Sequence, residues 1–383
     1  MEYILAYHSI NSCGGGEKVL FETARAIKEY CESPKVTLYL IDKPKRLKFY
    51  GNLVKYIDEI FYMFDSLTPI TLKYNMLMSV VLRKLSDSRV CLLNINGLTS
   101  NILPHLTYVH YPFIYEQMIS STPLEKCYAK MNAIIADVIN KLLPEEPRVL
   151  LFNSLYTLKK TTEYIIKFKG ITPVTLDIFN KSKKLIIYPP VDVEKIQNNI
   201  KYDKYNNIVV ISRFDRNKYI ERAIFIMHAM TSMFHTKDVK MHIIGSLNDI
   251  SYLTQLIELT RKLDLEKNIA FHVNATEYEK LDILSKAKVY LHPLEGEHFG
   301  ISIVEGMAAG LIPVVPSIGG PTEFVSKEWW YKSITEGAAK VITALERWSP
   351  KEAAYFSKKA NLFSASKFRQ KISEIACQIA TQI

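Results

Sequence analysis

The stretch His292–Ser317, "HPLEGEHFGISIVEGMAAGLIPVVPS", decides the reading of the chain. A strand-like run, "AKVYLHP" (287–293), leads into it, and another, "LIPVVPS" (311–317), closes it. Between them the pattern predicts a helix that begins near Gly300 and stops at Gly310, a residue suited to the left-handed turn after a helix. Glu297 then lies in the preceding loop and Glu305 inside the helix. If all eight steps between them were helical, their Cα atoms would be roughly 12 Å apart. That is too far for both carboxylates to act on one atom, but it suits the two ends of an extended ligand. The peptide N–H groups of Gly300 and Ile301 lie between them at a helix start, where an anion is favoured. Carboxylate, anion site, carboxylate matches the order sugar, diphosphate, ribose in a nucleoside diphosphate sugar. The alternative is two surface glutamates at a helix cap.

The same strand-and-helix alternation runs outward in both directions. Strand-length runs occur at 3–7, 35–41, 90–95, 106–111, 148–153 and 184–189, and again at 207–214, 239–245, 268–273, 287–293 and 311–317. Helical patterns such as "EKVLFETARAIKEY" (17–30) and "SYLTQLIELTRKL" (251–263) intervene. This predicts an α/β chain with two doubly wound parallel sheets. The 383 residues exceed one comfortable core. Pro189 and Pro190 stiffen the chain at the junction, giving domains 1–189 and 190–383, with a ligand cleft expected between them. The terminal helices after Ser349 are candidates to pack back on the first domain.

Three further motifs carry chemistry. "HSINSCGGGEKVLFE" (8–22) sets Gly14, Gly15 and Gly16 between a strand and a helix, where glycines allow close backbone approach and the helix start offers free N–H groups. It is neither a Walker loop nor a G-x-G-x-x-G turn, and a plain tight turn reads equally well. Arg213 and Lys218, in "SRFDRNK" (212–218), flank a turn after a strand and could clamp a diphosphate or simply be surface charges. His110, in "YVHYP" (108–112), ends a strand as a buried histidine or as a group facing the ligand. No metal-ligand spacing and no Asp-x-Asp occur, so no metal or cofactor is expected.

These motifs together resemble glycosyltransferase family 4, retaining enzymes of the GT-B fold. The E-x7-E pair Glu297/Glu305 is joined by "GGGEKVL" (14–20), "FNSLYT" (152–157), "YPPVDV" (188–193) and "EHFGISIVEGMAAGLIPVVPSIGGPTEFV" (297–325), in the family's order. Within the family the look is nearest to the α-1,2-mannosyltransferases of dolichol-linked oligosaccharide assembly and their prokaryotic relatives. The resemblance implies that Glu297 sits by the donor sugar and Glu305 by the ribose. Gly300 and Ile301 would offer amides to the diphosphate beside Phe299, and Arg213 and Lys218 would hold the phosphates. Gly15 and Gly16 would face the donor, His110 would contact the transferred sugar, and Ser317–Pro321 would form a second loop there. It implies transfer of a hexose, mannose from GDP-mannose before a UDP-sugar, to a lipid-linked saccharide. Where many relatives carry P-E-K, this chain has Asp215, Arg216 and Asn217 before the lysine, which puts donor preference in question.

The net charge of +10 favours an anionic partner. The reading taken is a membrane surface, met at the cytoplasmic face by the basic run 43–48 and by 60–85 lying in the interface as one or two amphipathic helices; the alternatives are a solvated basic loop and an ordinary core helix. A nucleic-acid-binding protein is the remote alternative, without a stacking motif behind it. A nucleotide-sugar epimerase or a phosphorylase on the same scaffold is a further one. The five cysteines, odd in number and widely spaced, are expected to be reduced thiols, as in a cytoplasmic protein. No segment is apolar for long enough to span a bilayer.

Overall fold

The computed structural model describes residues 1–7, 10, 14–43, 51–64, 90–95, 105–141, 148–200, 203–236 and 238–382. The chain divides into two compact units, one formed by Met1–Pro190 with Ala365–Ile383, the other by Val191–Ser364.

The first unit is built on strands β1 (Glu2–Tyr7), β2 (Lys35–Asp42), β3 (Glu59–Phe64), β4 (Val90–Asn94), β5 (His105–Val109), β6 (Arg148–Phe152) and β7 (Lys183–Ile186). They pair in the order β3-β2-β1-β4-β5-β6-β7, every contact parallel. Strands such as β1 and β5 are buried almost throughout, as expected where helices cover both faces. The core gathers Leu5, Leu38, Leu93 and Tyr108 with Leu20 and Phe21 of the helix Gly15–Tyr30. The last helix, Ala365–Ala380, belongs to this core through Phe368, Ile372 and Ala376. Arg369 reaches from it to the buried carboxylate of Glu22 at 2.7 Å.

Two expectations change here. Cys31 and Cys377 form a disulfide with their Cα atoms 5.6 Å apart, so the thiols are not all reduced; Cys91 and Cys127 are free. Residues 60–64 belong to β3, paired with β2 from Thr37↔Glu59 to Asp42↔Phe64, and are not part of an amphipathic helix. The run Ile60–Phe64 is continuously apolar, and a short run of that kind does not by itself separate a strand from a helix. The rest of 60–85, the basic run beyond Lys43, and Cys13 lie outside the described residues.

The second unit has β8 (Asn207–Ile211), β9 (Lys240–Gly245), β10 (Ile269–Val273), β11 (Val289–Leu291), β12 (Ile312–Pro316) and β13 (Trp330–Tyr331). Their order is β10-β9-β8-β11-β12-β13, again all parallel. Side-chain caps fix the helix starts: Asp249, Thr276, Ser333 and Ser349 each accept a backbone N–H from the first turn. Each unit therefore has strand order 3-2-1-4-5-6 at its centre. The order reverses between β1 and β4 and between β8 and β11. Loops that leave the carboxyl ends of those strands diverge, and the crevice between them is where such sheets bind ligands. The glycine run follows β1, Arg213–Lys218 follows β8, and Glu297 follows β11.

Candidate nucleotide-sugar site

In the second unit, β8 stops at Ile211, and Phe214 makes one further bridge to Leu247. Asp215 then starts a single 3-10 turn, Arg216–Lys218, by accepting the Asn217 N–H. Tyr219 closes the turn at φ 48, and the helix Glu221–Ser232 follows. The turn aims its cations differently. Arg216 is held by Gln255 and Asp249 and lies over the Tyr252 ring. Lys218 reaches Glu297 at 3.3 Å. Arg213 is exposed and makes no ion pair with the described residues, which leaves its guanidinium available to an incoming anion. Of the residues that replace P-E-K, Asp215 caps the turn and Arg216 braces it against the helix Ile250–Lys262; the lysine alone faces the glutamate.

Glu297 lies in the loop after β11. Its carboxylate is about one-fifth exposed. Burial works against its charge, but Lys218, His292 and His298 outweigh that and hold it at about 2. His292, at 3.7 Å from Glu297, is pushed down to about 4 by burial, with Lys218 acting in the same direction and Glu297 against it. It is neutral at pH 7, and neither of its buried ring nitrogens has a hydrogen-bond partner. A second loop locks Glu297 in place. Gly320 N–H donates to the Glu297 carbonyl at 2.8 Å, and Gly296 N–H to that of Ile318 at 2.9 Å. Gly319 sits at φ 133, and a Cβ there would meet the Glu297 carbonyl oxygen at 2.8 Å, so this approach requires glycine. Ser317–Pro321 is thus the neighbour of the glutamate loop.

The helix runs Ile301–Ala308 after Gly300 at φ 91. Gly300 offers no side-chain cap, so the first-turn amides point outward without an intrahelical acceptor. Gly310 takes φ 76 beyond its end. Because Gly300 is left-handed and Glu297–His298 form a loop, only the steps from Ile301 to Glu305 are helical, and the roughly 12 Å spacing does not apply. Glu305 receives Lys280 from the helix Glu277–Lys286 at 3.0 Å, and the same ammonium meets Glu277 at 3.1 Å. Although burial works against its charge, Glu305 and Glu277 raise the lysine above its ordinary range. The Phe299 ring is buried against Phe324 and Phe363 at 5.3 and 5.5 Å, so it anchors the loop in the core and offers no face to a ligand.

In the first unit, Gly14 caps the helix Gly15–Tyr30. A Cβ on Gly16 would lie 2.5 Å from the Tyr7 hydroxyl oxygen and 3.8 Å from His110 Nε2. The carboxyl ends of β1 and β5 and the glycine turn therefore converge. His110 Nε2 lies 2.9 Å from the Ile95 carbonyl, just past β4, and its own carbonyl accepts from Asn153. Tyr7, His292 and Lys280 escaped the sequence reading. His292 stood at the start of the decisive stretch, but a histidine ending a buried strand has no distinguishing spacing. Among the described residues no group of three or more His, Cys, Asp or Glu is placed to hold a metal ion, and no helix is long and apolar enough to cross a membrane.

Two parallel 3-2-1-4-5-6 sheets, with motifs at both switch points, define the GT-B fold. Solved structures agree in fold: sucrose-phosphate synthase from Thermosynechococcus elongatus (TM-score 0.69, 14% identity, all of both chains) and WaaG, a glycosyltransferase involved in lipopolysaccharide biosynthesis (0.66, 14%, 99% of both chains). Residues 192–362, nearly the whole of the second unit, match the family model described as "Glycosyl transferases group 1". Curated relatives carry the name GDP-Man:Man(3)GlcNAc(2)-PP-Dol alpha-1,2-mannosyltransferase. That of Dictyostelium discoideum is 27% identical over 234 residues, 56% of this chain and 46% of that protein. The Xenopus tropicalis protein is 30% identical over 228 residues, with the same shares. The chain spans about half the length of the curated relatives it matches.

Proposed function

We propose that the chain is a retaining, metal-independent glycosyltransferase that moves mannose from GDP-mannose to a lipid-linked saccharide at the cytoplasmic face of a membrane. The observation that carries this reading is the Lys218–Glu297 pair at the β8/β11 switch point of the second unit. A carboxylate held ionised beside a cation suits sugar hydroxyls next to a diphosphate. Arg213, Lys218 and the amides of the Ile301 helix start supply positive charge where the leaving diphosphate gains negative charge, which is the largest source of rate in such transfers. The acceptor hydroxyl oxygen bonds the anomeric carbon as the carbon–phosphate-oxygen bond breaks on the same face, and its proton passes to the departing phosphate. Glu297 orients the sugar and stabilises positive charge at the anomeric carbon. Glu305, braced by Lys280, takes the ribose hydroxyls. The acceptor and the sugar follow the names of the curated relatives.

Release of nucleoside diphosphate from a panel of GDP- and UDP-sugars, with lipid-linked saccharide supplied or withheld, tests the reading. Acceptor-dependent GDP release from GDP-mannose, undiminished by EDTA, is expected. Loss of turnover on chelation with rescue by magnesium or manganese would overturn the cationic account; turnover of UDP-sugars alone would move the donor assignment. A disulfide is uncommon in a reducing compartment, so the Cys31–Cys377 redox state after alkylation in intact cells checks the location.

A further inference from the structure

The helix Pro123–Lys141 of the first unit buries one face through Ala129, Asn132, Ala133, Ala136, Asp137 and Asn140. Its opposite face is also apolar. Leu124 is 81% exposed, Met131 46%, Ile134 50% and Val138 57%, and exposed Cys127 falls between them. Steps of three and four residues place these five side chains in one stripe, which spans roughly 20 Å along the axis from Leu124 to Val138 at 1.5 Å per residue. Solvent-facing helix surfaces normally carry charge opposite the core; a contiguous apolar stripe marks a surface made to be covered.

The charges around the stripe indicate the cover. Lys130 and Lys141 are exposed and Lys126 partly so, all on one flank. The acids of this helix are elsewhere: Asp137 is buried and accepts from Thr175, and Glu125 caps the helix start through Thr122. Apolar residues flanked by lysines, with the one exposed acid, Glu125, held at the helix start, complement an anionic lipid surface, where each cation near the headgroups adds attraction.

We propose that the outward face of the helix Pro123–Lys141 is a membrane-docking surface, lying in the plane of an anionic leaflet with Leu124, Met131, Ile134 and Val138 in the acyl boundary. The lipid-linked acceptor proposed above gives this docking its use, since an enzyme held at the leaflet meets its acceptor in two dimensions. The docking itself can be measured without donor or acceptor.

The full chain is mixed with vesicles of phosphatidylcholine, with or without phosphatidylglycerol, and sedimented. Binding to the mixed vesicles is expected, weakened by salt and by the pair Lys130→Gln and Lys141→Gln. The pair Ile134→Asp and Val138→Asp is expected to weaken it about a hundredfold, roughly tenfold for each large apolar side chain kept from the lipid. Both sites are already solvated, so the fold should survive, as circular dichroism checks. Independently, Met131→Trp should be quenched by brominated acyl chains. Equal vesicle binding by the aspartate pair, or an unquenched tryptophan, overturns the proposal. A dimer in light scattering that the aspartate pair dissociates, without vesicle binding, assigns the face to a second copy and overturns it as well. Donor hydrolysis retained by the aspartate pair, alongside lost vesicle binding, separates a docking defect from a failure of the catalytic reading.

Discussion

Replacing Lys218 with methionine isolates what holds Glu297 ionised. The ammonium lies 3.3 Å from the carboxylate, and the two side chains are 24% and 20% exposed. Burial alone would raise the carboxyl; Lys218 is the largest of the groups that instead bring it from 4.5 to about 2. At about 1.4 kcal/mol per pH unit, losing that depression corresponds to about 3 kcal/mol. Residual exposure makes this a ceiling, and the expected loss at pH 7 is about 2–3 kcal/mol. The sign follows from the direction of the shift. A depressed carboxylate stabilises the folded chain fully above its unfolded value near 4.5, and the contribution fades as pH falls toward about 2. The gap between the parent chain and Lys218→Met should therefore close across that window. Adding Glu297→Gln to Lys218→Met should recover most of the loss by removing the stranded carboxylate. Denaturant unfolding followed by tryptophan fluorescence reads the effect in the right place, because Trp329, Trp330 and Trp348 all lie in the second unit. If Glu297→Gln costs the same with Lys218 present or absent, or the gap is unchanged down to pH 3, the lysine is not what holds the carboxylate.

Other outcomes can be checked separately. Glu305→Gln should weaken donor binding more than Glu297→Gln, by about tenfold to a hundredfold in calorimetric titration, and Lys280→Met should reproduce much of that loss without adding to it. Gly16→Ala should destabilise the first unit by about 1–3 kcal/mol, because the new methyl meets the hydroxyl of the buried Tyr7; Tyr7→Phe in the same chain should recover part of it, and an undisturbed Gly16→Ala would refute the contact. Reduction of Cys31–Cys377, or Cys377→Ser, should lower the stability of the first unit by roughly 2–5 kcal/mol, measured by far-ultraviolet circular dichroism while the tryptophan transition stays put.

What the sequence disclosed follows from the range of each interaction. Buried parallel strands announce themselves as apolar runs, so β1, β8, β11 and β12 were readable, as was the helix between Gly300 and Gly310. β13 has two residues, Trp330 and Tyr331, and shows no period at all. The glutamates and Lys218 were legible because the turns that carry them are local. Their partners were not: Lys280 meets Glu305 from another helix, 25 residues earlier, and Cys31 meets Cys377 across 346 residues. The direction of the Phe299 ring was not legible, because a loop aromatic beside a glycine looks the same from sequence whether its ring faces a ligand or the core.

The return of the last helix to the first unit has a consequence for how the chain reaches its fold. Val191 and Ser364 pair in a single bridge, and Val191 N–H donates to the Phe363 carbonyl. The second unit thus begins and ends at one point and is an insertion in the first. Before it folds, Phe368 can reach Leu20 only by closing a loop of more than three hundred residues, a cost that grows logarithmically with length. Once it folds, the bridge short-circuits Val191–Ser364 and the loop shrinks to about half its length, which lowers the closure cost of bringing Ala365–Ala380 to its partners. The long-range contacts of the final helix then close a shorter loop, and the expected order is second unit first, followed by closure of the first around its final helix.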